Sequence, residues 1–137
     1  MDTVGDPTTQ RPTMRRPKRE EPSMTVPFGE RLALAVADVG APIAVGLDPH
    51  LDRLPAPMRE AFAGRTGRAF REAAAESVLQ FCLAAVEGLA GHVVAVKPQV
   101  AFFEALGFQG VAALEETCRA ARERGLLVIV DGKRGDI

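Results

Sequence analysis

Leu126-Leu127-Val128-Ile129-Val130-Asp131-Gly132-Lys133-Arg134-Gly135-Asp136-Ile137 holds two kinds of chemistry in one stretch. Residues 126–131 form a short apolar run rich in β-branched side chains, which predicts a buried strand. Side chains two apart share a strand face. Ile129, Asp131 and Lys133 therefore point one way, and Val128 and Val130 the other. The bulky face suits a layer of helices, while the charges collect on the opposite face at the C-terminal end of the strand.

Upstream, the same design repeats. Val111, Leu114, Cys118 and Ala121 recur at helical spacing and are stopped by Gly125. Residues 93–97 read as a second buried strand, with Val93, Ala95 and Lys97 on one face and Val94 and Val96 on the other. Phe70, Ala74, Val78, Phe81, Cys82, Ala85 and Leu89 line a long helix closed by Gly91. A polar, proline-containing loop is expected from Pro49 to about Gly67. Residues 42–48 form a third apolar run, with Ala44, Gly46 and Asp48 sharing a face. An opening helix carries Phe28, Leu32, Ala35, Val36 and Val39 and stops at Gly40.

The predicted order is helix, then strand-helix-strand-helix-strand. Such alternation implies parallel strands with right-handed crossovers and helices outside. All three strands end in a charged residue in phase with the pleat: Asp48, Lys97 and Asp131. In a TIM (β/α)8 barrel that end carries the catalytic groups. Three such ends in phase favour an α/β barrel over an open parallel sheet, which alternation alone separates only weakly; a barrel would be cut after its third strand here, since a whole one takes about 250 residues.

Composition limits the alternatives. The 137 residues are 47% hydrophobic and 26% charged, with a net charge of -1. No basic field recruits nucleic acid, and the absence of Trp and Tyr removes the usual stacking platforms for single strands. No apolar run approaches the ~20 residues of a membrane span. His50 and His92 are far apart and predict no metal centre, and Cys82 and Cys118 read as buried reduced thiols of a cytoplasmic protein. Residues 1–26, with four prolines and little that is apolar, read as a disordered tail ahead of a domain over residues 27–137. Met24 is an alternative start to Met1.

In the closing motif, Asp131 and Lys133 are about 7 Å apart if the strand stays extended. Gly132 and Gly135 let the backbone bring Asp136 beside them. A lysine between two carboxylates stays protonated and serves as a held proton source; the same residues also fit an ion-pair cluster on a charged loop.

The segment Asp131-Gly132-Lys133-Arg134-Gly135-Asp136-Ile137 resembles the Asp-x-Lys-x-x-Asp signature of the orotidine 5'-phosphate decarboxylase superfamily. Val45-Gly46-Leu47-Asp48-Pro49-His50 is similar to that family's first strand, and Phe28-Gly29-Glu30-Arg31-Leu32 to its opening helix. Val96-Lys97-Pro98-Gln99 with Ala101-Phe102-Phe103-Glu104 resembles the second strand of its longer bacterial (type 2) subgroup. The resemblance implies conversion of orotidine 5'-phosphate to UMP in pyrimidine biosynthesis, with no metal or organic cofactor. It implies Lys133 as proton donor, Asp131 and Lys97 as members of the charged network, and Asp48 on the substrate ribose. Asp136 is implied to enter the site of a partner subunit, making the whole enzyme a homodimer. The family's phosphate-gripping arginine and closing loop are expected beyond Ile137, so the segment alone is expected to be inactive. Two rivals are a magnesium-dependent sugar-phosphate decarboxylase or synthase on the same barrel, and a non-catalytic fragment.

Overall fold

A computed structural model describes residues 26–133. Its elements are α1 (Phe28–Val39), β1 (Ala44–Leu47), a 3-10 turn (Leu51–Arg53), α2 (Ala56–Glu60), α3 (Gly67–Leu89), β2 (Ala95–Pro98), α4 (Val100–Glu104), α5 (Phe108–Glu123) and β3 (Leu127–Val128). The tail expected over residues 1–26 lies outside the described residues except for Val26.

The three strands form one parallel sheet in the order β1-β2-β3. Ala44, Ala95 and Leu127 stand in one row, and Val45, Val96 and Val128 in the next. β3 is shorter than the expected run over 126–131, but the pairing resumes at a bridge between Gln99 and Asp131. The Ile129 N–H donates to Val96 O at 3.0 Å and the Asp131 N–H to Pro98 O at 3.1 Å, carrying the ladder past the strand proper.

Each sheet face packs differently. On the bulky face, Leu47 and Val96 meet Val86 of α3 and Ala121 of α5, with Val45 and Val128 at the margin. This is the face expected to meet the outer helices, except that the two residues ahead of β2 are reversed: Val93, expected on the smaller face, joins this cluster and Val94 packs with α1, because the strand itself starts only at Ala95. Val130, assigned to the bulky face as well, is 51% exposed; no helix among the described residues covers it. Under the N-terminal end of the sheet, α1 packs Ala35, with Leu32, Val36 and Val39, against Val94, Ala95 and Leu127. The glycine stops after α1 and α5 both take positive φ, 79° at Gly40 and 74° at Gly125.

A third cluster lies beyond the sheet and joins α3 and α5 to segments that the sequence suggested were only loops. Leu54 is buried there beside Val78, Cys82, Phe103 and Leu106, and Leu51, Met58 and Phe62 pack around it. The expected loop 49–67 thus contains the 3-10 turn and α2, begun by Pro55 with Pro57 in its first turn. Prolines that signal a break also start a helix when they stand in its first turn. The connection after β2 likewise contains α4, whose Phe103 is fully buried. Burying that ring stabilises the fold by roughly 2–3 kcal/mol before entropy is counted.

α5 is rotated relative to expectation. Its buried residues are Gly110, Ala113, Thr117, Cys118 and Ala121, while Val111 is 48% exposed. The reason is close approach. A Cβ at residue 110 would lie 1.9 Å from the Phe103 carbonyl oxygen, so only glycine lets α5 start against α4. The Thr117 hydroxyl is satisfied within the helix, donating to Ala113 O at 2.7 Å. Cys82 and Cys118 are both buried and free, as expected.

Candidate active site

The site is built where the three strands end. Continuing the register one step past Leu47 and Pro98 places Asp48 beside Gln99, and Gln99 bridges Asp131. Directly below stand Gly46 and Lys97, paired in register. The smaller face of the sheet thus carries Asp48, Lys97 and Asp131 together, as its alternation predicts.

Lys97 reaches up and across to Asp131, with Nζ 3.0 Å from Oδ2. Lys133 donates to the same oxygen. One carboxylate oxygen therefore accepts from two ammonium groups. Asp131 is the most enclosed of the three side chains, at 20% exposure, and Lys133 the most open, at 65%. The hydrogen bond from Lys133, and then that from Lys97, holds the Asp131 carboxyl below the usual carboxylate range. The hydrogen bond to Asp131 holds the Lys97 ammonium above its ordinary value, and the nearby Asp48 charge adds to this. Asp48 lies over Gly46: a Cβ at residue 46 would sit 3.7 Å from both Asp48 carboxylate oxygens.

Lys133 does not extend the strand. Its φ is 44°, in the left-handed region that side chains with a Cβ seldom adopt. The chain turns at Gly132–Lys133, and the side chain folds back onto Asp131 rather than standing parallel to it at the expected strand spacing. Asp136, the expected second carboxylate beside Lys133, lies outside the described residues.

Two features escaped the sequence reading. The His50 ring meets Phe102 edge-on, with centroids 4.3 Å apart and an interplanar angle of 62°, tying the loop after β1 to α4. Gln99 holds the central place in the rim row. Strand alternation signals Gln99, two residues beyond Lys97, whereas the His50–Phe102 contact joins distant segments and has no local signature. A groove of ≈ 480 Å³ along β1 and α3 includes Val45, Leu47, Phe81 and Leu89 in its lining and reaches the charged cluster's neighbourhood at Gly46 and Asp48. Among the described residues, no three or more His, Cys, Asp and Glu side chains group to hold a metal ion, and no helix is long and apolar enough to cross a membrane.

Comparison with known proteins supports the same reading of the fold. The orotidine 5'-phosphate decarboxylase from Rhodopirellula baltica is 41% identical over 110 residues, covering 80% of this chain and 35% of that protein. A solved structure described as an orotidine 5'-phosphate decarboxylase from Streptomyces avermitilis is 42% identical, with a TM-score of 0.60 over 81% of this chain and 34% of that one. Another, described as an orotidine-monophosphate decarboxylase from Toxoplasma gondii, is 32% identical, with a TM-score of 0.62 over 79% and 32%. The chain thus spans about a third of the length of these relatives. Its parallel strands and helices are part of an α/β barrel. Residues 41–137, which include all three strands and the whole charged rim, match one family description, and the chain belongs to the Orotidine 5'-phosphate decarboxylase / HUMPS family.

Proposed function

We propose that the full-length protein decarboxylates orotidine 5'-phosphate to UMP, with Lys133 delivering the proton to C6. The observation that carries this reading is the chain of charge Lys97–Asp131–Lys133 at the strand ends, where one carboxylate oxygen takes hydrogen bonds from both lysines. The relatives named as orotidine 5'-phosphate decarboxylases support the substrate.

Loss of CO2 from C6 leaves an electron pair in an sp2 orbital with no adjacent carbonyl or imine to spread it. Stabilisation must come from charge already in position, because reorienting dipoles during the reaction would cost energy. Lys133 is the cation for that role: its hydrogen bond to Asp131 aims it back over the rim. When the carbanion forms, the Lys133 ammonium passes a proton to C6, and the Asp131 carboxylate, still paired with Lys97, retains its charge. Asp48, at the end of β1 two strands from Asp131, holds the substrate ribose in this reading. Binding through such remote groups supplies energy that is used at the reacting carbon.

The remaining proposals complete the site. Asp136 approaches Lys133 of the partner subunit in a homodimer, and the enzyme works in the cytoplasm without a metal or organic cofactor. The resemblance of Lys97-Pro98-Gln99 and Phe102-Phe103-Glu104 favours the longer bacterial subgroup over the magnesium-dependent sister enzymes. The test is CO2 release from orotidine 5'-phosphate by full-length protein in excess chelator. Full activity is expected. Loss of activity with rescue by magnesium would overturn the cofactor-free reading, and no turnover under either condition would overturn the decarboxylase assignment.

A further inference from the structure

We propose that Gln99 is a substrate-contacting specificity residue that, together with Asp48, reads the neighbouring hydroxyls of the sugar. This rests on the nucleotide reading above and adds a recognition element to the same site.

The backbone fixes where Gln99 stands. Its N–H donates to Leu47 O at 3.2 Å, its carbonyl accepts from Phe102 N at 3.3 Å, and it bridges Asp131 on the other side. Its Cα is therefore held between the ends of β1 and β3. Strand alternation sends its Cβ to the face that carries Lys97 and Asp131. Gln99 is also the N-cap of α4, with φ -86° and ψ 108°, yet its side chain makes no capping hydrogen bond. No other side-chain hydrogen bond engages it among the described residues, although it is half-buried.

The chemistry of the row narrows what such an amide can meet. Asp131 is engaged by two lysines, so the open polar neighbours are Asp48 and Gln99. Adjacent strands stand about 4.8 Å apart, a spacing that two neighbouring hydroxyls can bridge. A carboxylate only accepts, whereas a carboxamide both donates and accepts. Each hydroxyl of a diol has a proton to give and lone pairs to be met, and this pair of side chains supplies both. A charged group at residue 99 would instead have to be accommodated between two carboxylates; a neutral amide is not drawn into the ion pairs and stays available to an uncharged ligand group.

The experiment compares wild type, Gln99→Ala and Gln99→Met in the full-length protein, on orotidine 5'-phosphate and on its 2'-deoxy and 3'-deoxy analogues. Gln99→Met keeps side-chain length without hydrogen bonding and stands in if the alanine variant misfolds. Both variants should lose roughly tenfold or more in kcat/KM on the ribonucleotide, the effect of one substrate hydrogen bond. That loss should disappear on the analogue lacking the hydroxyl that Gln99 holds. Equal losses on all three substrates, no loss at all, or failure of both variants to fold would overturn the inference. Absence of wild-type turnover would instead remove the decarboxylase reading and this inference with it, so the two failures are read separately.

Discussion

The two faces of the sheet divide the work. The bulky face is closed by segments near in sequence: Leu47 and Val96 lie under Val86 and Ala121 in an apolar cluster. Among the described residues, the smaller face is closed at its N-terminal end, by α1. Toward the strand ends it carries Gly46, exposed Ile129 and the charges of Lys97 and Asp131. One face supplies stability; the other holds a geometry that costs stability, since half-buried charges must be paired to be tolerated. Substitutions on the two sides should therefore fail in different ways.

The largest stability effect is expected behind the bulky face, in the cluster that joins α3, α4 and α5. Phe103→Ala would empty a fully buried ring site, and α5 starts too close to α4 for the gap to collapse easily. A loss of about 3–5 kcal/mol is expected, read from denaturant unfolding of the full-length protein. A loss under about 1 kcal/mol would show that this cluster is not what supports the strands.

A smaller, pH-dependent effect comes from the same cluster. Burial pushes the Cys82 thiol up to about 12 from an ordinary 9.0. Folded Cys82 keeps a proton that the unfolded chain releases above pH 9. Its contribution is therefore complete below that pH and declines between 9 and about 12. In Cys82→Ala, the alkaline fall in unfolding free energy should be shallower than in wild type. Parallel curves would mean that Cys82 titrates as freely when folded as when unfolded.

How much of this could be read in the chain beforehand depended on the distance over which each signal acts. The helices α1, α3 and α5 are long enough for periodicity to show, and Asp48, Lys97 and Asp131 are brought together by alternation and parallel register, both local rules. α2 and α4 have five residues each, too short for a period, although Leu51, Leu54, Met58 and Phe62 fall at helical spacing in retrospect. The buried face of α5 was misplaced because apolar size pointed to Val111, whereas close packing required the small Gly110 and Ala113. At the site, the reach of Lys133 depends on a positive φ that its own residue type disfavours. The His50–Phe102 contact depends on two loops meeting.

The rim of the smaller face is proposed to hold the chemistry, with Lys133 performing it. Lys133→Ala in the full-length protein addresses it directly, with kcat for orotidine 5'-phosphate, binding of the UMP product and the melting midpoint measured on one preparation. Lys133 is exposed and is not a member of the core clusters, so the midpoint should stay near wild type and UMP should still bind. A charge that acts on the transition state, as proposed for Lys133, predicts a fall in kcat of several orders of magnitude. A fall of less than about tenfold, with the protein folded, would contradict the assignment of Lys133 as proton donor.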